Sequence, residues 1–229
     1  MPEIGTDFSA VIFDMDGTLF ATEQLAWSCL LDAFAAQGYV LPDAVFLDCV
    51  GKDAATSQGV FAAHFGDTCP VARIVIDADA RMEAVLHDTG PTLKPGVKDM
   101  LDWLQQHGIA CAIASASHRD RILQNVHKSG LAPYFTAVVG GNEVAQGKPA
   151  PDIYQEAARR LHTPIPACIA FEDSPTGFRA AISAGIRTIL IPDLIPANAR
   201  QKTEAWRLDT NLTHTLHAWQ NGHFARQPS

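Results

Sequence analysis

The sequence predicts an α/β protein in which a doubly wound parallel sheet is interrupted, soon after its first strand, by a wholly helical insertion. Three observations carry this reading. Five short apolar runs are spread along the chain. Hydrophobicity within each is continuous rather than alternating, as it is in strands covered on both faces. The segments between later runs carry helix start and stop signals.

The strand-like runs are AVIF (10–13), IACAIA (109–114), TAVV (136–139), CIAF (168–171) and RTILI (187–191). PGVKDMLDWLQQHG has Pro95 near its start and Gly108 at its end, and SPTGFRAAISAG closes on Gly185. Proline suits a first helical turn and glycine a helix end. From about Thr22 to His87 no strand signal occurs; TEQLAWSCLLDAFAAQG, DAATSQGVFAAHFG and VARIVIDADARMEAVLHD read as three helices. An insertion of about 70 residues exceeds an ordinary strand-to-helix connection. HDTGPTLKPG then returns the chain to the sheet. The expected organisation is a Rossmann-like core of residues 1–19 and 92–229 with an inserted helical domain at 20–91. Trp27, Phe34 and Trp103 are expected in helix cores.

Composition narrows the function. The 229 residues carry a net charge of −8 and no Lys/Arg block, which argues against nucleic acid and anionic membranes as partners. No stretch approaches the roughly 18 apolar residues of a membrane span, and no basic region followed by an apolar segment opens the chain. The five cysteines are odd in number and scattered without a CxxC pair, so neither a disulfide framework nor a zinc site is expected. The expectation is an unprocessed cytoplasmic protein working as a monomer.

In an open parallel sheet, ligands bind beyond the carboxyl ends of the strands, so what each strand delivers there matters. The first delivers Asp14, Asp16 and Thr18 in DMDGT, and the second Ser115 in SAS. Lys148 follows the third in GKPAPD, and the fourth delivers Glu172 and Asp173 in FEDS. Four acids, a hydroxyl and one lysine suit phosphoryl transfer to a carboxylate. Two anions about 4 Å apart repel by about 4 kcal/mol at an effective dielectric of 20. Attack of Asp14 on a phosphate monoester therefore requires a divalent cation, and hard oxygen ligands from Asp14 and Asp173, with a main-chain carbonyl, suit Mg²⁺. Lys148 adds positive charge and Ser115 a neutral donor. Asp16, beyond the flexible Gly17, is placed to act as acid and then base.

DMDGT, SAS, GKPAPD and FEDS in this order, with a helical insertion after the first, resemble the haloacid dehalogenase superfamily in its phosphatase and β-phosphoglucomutase branch. The resemblance spans nearly the whole chain. It implies that Asp14 is the nucleophile forming an aspartyl-phosphate and Asp16 the acid/base. It implies further that Ser115 and Lys148 bind phosphate, that Asp14, the Asp16 carbonyl and Asp173 hold Mg²⁺, and that Glu172 supports the metal's waters. Residues 20–91 would be a cap. Lys52 in the insertion and Arg119 after the second strand are candidates for substrate specificity; Ser117 and His118 lie where substrate could bind. Pro151 and Asp152 read as a helix start, and the histidines form no ligand spacing.

The expected activity is hydrolysis of a small phosphorylated metabolite. Asp16 counts against a dehalogenase or a phosphonate hydrolase. A sugar-phosphate mutase is the alternative, but Ala26 and about Ala54 stand where that pattern has a histidine and an arginine. An inactive binding scaffold would be expected to lose one of Asp14, Asp16, Lys148 or Asp173, and all are present.

Overall fold

The computed structural model describes residues 7–49 and 54–225. They form two compact units: Met1–Phe20 with Thr92–Ser229, and Ala21–Pro91.

The first unit is built on six parallel strands: β1 (Ala10–Phe13), β2 (Ala110–Ser115), β3 (Ala137–Gly140), β4 (Cys168–Glu172), β5 (Arg187–Leu190) and β6 (Arg207–Leu208). Their spatial order is β3-β2-β1-β4-β5-β6. Ala10 of β1 is in register with Ala110 of β2 and Cys168 of β4, so the strands carrying the motifs lie side by side. Five strands match the apolar runs. The sixth has two residues, one of them an arginine, too little for a hydrophobic pattern to mark.

Because successive strand residues face opposite sides, each strand divides between two cores. Val11, Phe13, Cys111, Ile113, Ile169, Phe171 and Ile189 form a bulky face. It packs on α5 (Val97–Gln106) through Met100 and Leu104, on α6 (Arg119–Lys128) through Ile122 and Val126, and on α10 (Leu212–Gln220) through Leu216 and Trp219. Ala10, Ile12, Ala112, Ala114, Cys168 and Ala170 form a small-residue face against α7 (Asp152–Arg160) and α8 (Pro175–Ser183). Helix α7 supplies Ile153, Tyr154 and Ala157, and α8 supplies Ala180 and Ala181. Helix α9 (Ala199–Glu204) precedes β6.

Among its described residues the second unit has helices as its regular elements: α1 (Thr22–Ala36), α2 (Asp43–Leu47), α3 (Ala54–Phe65) and α4 (Val71–Asp88). Helix α4 buries Val71, Ile74, Ala78, Met82 and Leu86, a spacing of three or four residues that keeps one stripe inward. The Phe34 ring lies 5.4 Å from Phe61 and 4.8 Å from Phe65, and Trp27 lies 4.1 Å from Phe46. Helix α2, five residues long, is too short to leave a periodic signal in the sequence. The expected insertion began at Phe20. Phe20 is instead fully buried in the sheet unit's bulky core and bridges Leu93, so that unit runs through Phe20. All five cysteines are buried, and none of them is in a disulfide. Among the described residues no helix is long and apolar enough to cross a membrane.

Candidate active site

The acids of the site stand where strands end, and Lys148 lies in the loop between β3 and α7. Asp14 follows β1 and extends its ladder by one bond, its N–H donating to Phe171 O at 3.0 Å. Its carboxylate is buried and accepts from Lys148 Nζ at 2.5 Å. Lys148 sits in a loop closed by an Ala150 N–H to Gly147 O bond of 3.0 Å and by Asp152, whose carboxylate accepts from Gln146 N. Pro151 caps α7, as the sequence suggests.

Glu172, the last residue of β4, has no solvent exposure. Its Oε1 accepts from Lys148 Nζ at 2.6 Å and from Tyr154 Oη at 2.6 Å. Its Oε2 accepts from Ser174 Oγ at 3.2 Å and from the Asp173 N–H at 3.2 Å. Both oxygens are thus occupied by protein donors, which is what a buried carboxylate needs. The Tyr154 ring centroid lies 5.2 Å from Lys148 Nζ, so the ammonium faces two carboxylates and a π face. Next along the chain, Asp173 accepts from Thr18 Oγ1 at 3.1 Å. Gly17 lets the chain pass this close: its φ is +87°, and a Cβ there would stand 2.3 Å from Asp173 Oδ2.

Among the described residues, charge in this cluster is unbalanced. The Asp14 carboxyl is pushed up to about 8, first by burial and then by Glu172 and Asp16, against the downward pull of Lys148. Lys148 is held as an ammonium: burial opposes its charge, but Asp14 and Glu172 outweigh it and raise its pKa. Tyr154, buried beside the same carboxylates, stays a phenol well above its usual range. Asp14, Glu172 and Asp173 each offer an oxygen within 4.8 Å of the others. Three hard oxygen donors facing one ammonium make a donor set that fits a small divalent cation.

Asp16 belongs to a different environment. It is partly exposed, and its Oδ2 accepts from Ser117 Oγ at 2.8 Å and more weakly from Ser115 Oγ at 3.4 Å. The Ser117 N–H donates to Ser115 Oγ at 3.1 Å.

The structure therefore gathers Asp14, Lys148, Glu172 and Asp173 into one buried constellation, with Asp16 and Ser115 joined beside it. Arg119 stands at the start of α6 with its guanidinium 3.5 Å from Glu143, an ion pair at the helix surface. Lys52 lies outside the described residues. Three contributors were not assigned their parts from sequence: Tyr154 on Glu172, Thr18 on Asp173, and Ser117 on Asp16. Tyr154 follows Lys148 by six residues and sits in the first turn of α7, so a tyrosine on the inner face of the helix after GKPAPD was the available signal.

A parallel sheet with acids at adjacent strand ends, a lysine between them and an inserted helical unit defines a class of hydrolase. Residues 11–191 match the model of the haloacid dehalogenase-like hydrolases, and the chain belongs to that family. The CbbY protein of Rhodobacter capsulatus is 29% identical over 211 residues, 88% of this chain and 93% of that one. The (DL)-glycerol-3-phosphatase 1 of Arabidopsis thaliana is 32% identical over 80% of this chain and 63% of its own length. A haloacid dehalogenase family hydrolase of Deinococcus radiodurans, solved with bound phosphate and sodium, superposes with a TM-score of 0.81 at 25% identity, covering 97% of this chain and 99% of that one.

Proposed function

We propose that this chain is a Mg²⁺-dependent phosphatase that hydrolyses a small phosphorylated metabolite through an aspartyl-phosphate on Asp14. The observation that carries it is the Asp14–Lys148–Glu172 chain, with bonds of 2.5 and 2.6 Å, beside a second acid, Asp16, held by hydroxyls. Asp14 Oδ attacks phosphorus and the bond to the ester oxygen breaks. Asp16 gives that oxygen its proton, so the alcohol leaves neutral. Water then attacks the acyl phosphate, Asp16 takes its proton, and inorganic phosphate leaves with Asp14 restored. Lys148 and Ser115 bind the phosphoryl oxygens, and Glu172 holds Lys148 where it reaches both Asp14 and the phosphate. Mg²⁺, held by Asp14, Asp173 and the Asp16 carbonyl with support from Glu172, would supply positive charge that offsets the repulsion between nucleophile and substrate. The phosphate-bound relative and the glycerol-3-phosphatase support this substrate class. In this reading residues 20–91 select the leaving group, with Lys52 and Arg119 as candidates, and the protein works in the cytoplasm as a monomer.

The test is phosphate release from a panel of phosphomonoesters. Release should require Mg²⁺, stop with chelator and return with excess Mg²⁺, whereas the larger, loosely coordinating Ca²⁺ should substitute poorly. Full activity in chelator would refute the metal's role. Incubation with β-glucose 1-phosphate primed by the 1,6-bisphosphate separates hydrolysis from the mutase alternative: glucose 6-phosphate without free phosphate would promote the mutase.

A further inference from the structure

We infer that Ser117 is a positioning residue that sets the aim of the Asp16 carboxyl toward the leaving-group oxygen, an inference resting on the acid role proposed for Asp16. Asp16 follows Asp14 by two residues but shares none of its anchors. Lys148 reaches Asp14 and Glu172, and Thr18 reaches Asp173. Among the described residues, the short side-chain bond to Asp16 comes from Ser117 Oγ at 2.8 Å, while Ser115 Oγ, at 3.4 Å, is a weak second donor. A hydroxyl suits this task because it donates to a carboxylate and accepts from a carboxylic acid. The contact therefore survives whichever way the proton has moved.

Ser117 is itself held by main chain. The Gly141 N–H donates to Ser117 O at 3.0 Å, and the Ser117 N–H donates to Ser115 Oγ at 3.1 Å. The loop approaches Gly141 so closely that a Cβ there would lie 2.4 Å from Ala116 O. The Arg119 N–H is fixed by Asn142 Oδ1 at 2.9 Å. The turn after β2 is thus fastened to the turn after β3 on both sides of Ser117. Its hydroxyl has a defined place from which to hold a side chain on a third strand end. A phosphate-binding loop needs main-chain N–H groups and Ser115; it does not need a hydroxyl spent on Asp16.

Positioning of an acid has a kinetic signature that folding and phosphate binding lack. An alkyl ester loses a strongly basic alkoxide and depends on the proton from Asp16. p-Nitrophenyl phosphate loses a weakly basic phenolate and scarcely needs it. The experiment compares kcat/KM, which reports the first chemical step, for glycerol 3-phosphate or another accepted alkyl phosphate and for p-nitrophenyl phosphate. The proteins are wild type, Ser117→Ala, Ser117→Thr and Asp16→Asn, all with Mg²⁺. Ser117→Ala should lose about 10- to 100-fold on the alkyl ester and under about 3-fold on the aryl ester, within the range of general acid catalysis. Ser117→Thr, which keeps the hydroxyl, should recover most of the loss. Equal losses on both esters, or none, would overturn the role of Ser117. If Asp16→Asn itself fails to discriminate between the esters, the acid role of Asp16 falls instead, so the two failures are distinguishable.

Discussion

Two buried charge networks lie in the sheet unit, and they are built to opposite specifications. At the edge strand, Arg207 reaches Asp209 through Nε and Nη2, both at 3.2 Å, and Thr215 Oγ1 donates to the same carboxylate at 2.6 Å. The remaining Arg207 nitrogen donates to His223 O at 3.1 Å, and the Arg207 and Asp209 side chains are 1% and 0% exposed. One guanidinium meets one carboxylate, and Thr215 together with His214, whose Nδ1 lies 3.2 Å from Asp209 Oδ1, completes the surroundings of that carboxylate, which is what a structural pair requires. At the ends of β1 and β4, a single ammonium among the described residues meets the carboxylates of both Asp14 and Glu172, with Asp173 adjoining. Burial alone therefore does not separate structure from chemistry here. Charge balance does. A network left net negative is one prepared for a cation and an anionic substrate.

The comparison can be broken most strongly at Asp14. Asp14→Asn removes the proposed nucleophile and relieves the crowding of carboxylates, so turnover should fall at least about 1,000-fold. Stability in urea should hold within about 1 kcal/mol of wild type or rise, since one buried charge of the excess sign is gone. A variant with near-normal Mg²⁺-dependent activity would refute the covalent mechanism.

The reciprocal experiment is Arg207→Met, which strips the balanced network of its cation and leaves Asp209 buried with only Thr215 and His214 beside it. We expect about 3–5 kcal/mol of destabilisation in urea, the usual consequence of orphaning one member of a buried pair. Activity per folded molecule should be unchanged. Loss of activity without loss of stability would mean that charge balance is a poor guide.

Tyr154→Phe sharpens the comparison within the site. The ring that faces Lys148 stays, but the 2.6 Å bond to Glu172 is lost. We expect a cost of about 1.5–3 kcal/mol in stability, the usual range for a hydrogen bond to a charged group, and a measurable fall in kcat as Glu172 and Lys148 loosen. The smallest effect belongs to the surface. Glu156 is held at about 2 by hydrogen bonds from Arg159 and Arg160. Its folded pKa is depressed, so its contribution is present above the ordinary glutamate range and is lost as pH falls from about 4.5 toward 2. Exposed pairs contribute about 1 kcal/mol or less. Glu156→Gln should flatten acid unfolding in that window by no more than this.

Much of the sheet unit was legible because its chemistry and its hydrophobicity are both local. AVIF and CIAF are apolar at every position, and each runs directly into its acids, so strand and site announced one another. What escaped depends on distance in sequence. Tyr154 meets Glu172 across 18 residues, Ser117 meets Asp16 across 101 and Thr18 meets Asp173 across 155. Nothing in a tyrosine, a serine or a threonine tells which carboxylate it will find. Strand β6 escaped because Arg207 looks like a surface residue until Asp209 neutralises it. Helix α2, with five residues, is too short to show a period. The helical unit was read through periodicity alone, which reveals a stripe such as that of α4 but names no chemistry, and substrate choice was illegible for that reason.

The uneven faces of the sheet have a mechanical consequence. On the face bearing α7, the strands present Ala112, Ala114 and Ala170 beside the larger Ile12 and Val139, so small side chains over much of the face let that helix lie close to the sheet beneath. Helix α7 carries Tyr154 in its first turn, and the loop entering it carries Lys148. The alanines therefore act as shims. Their thickness sets how far the ammonium projects toward Asp14, and a bulkier side chain on this face would lift the lysine off its partners without touching the active site.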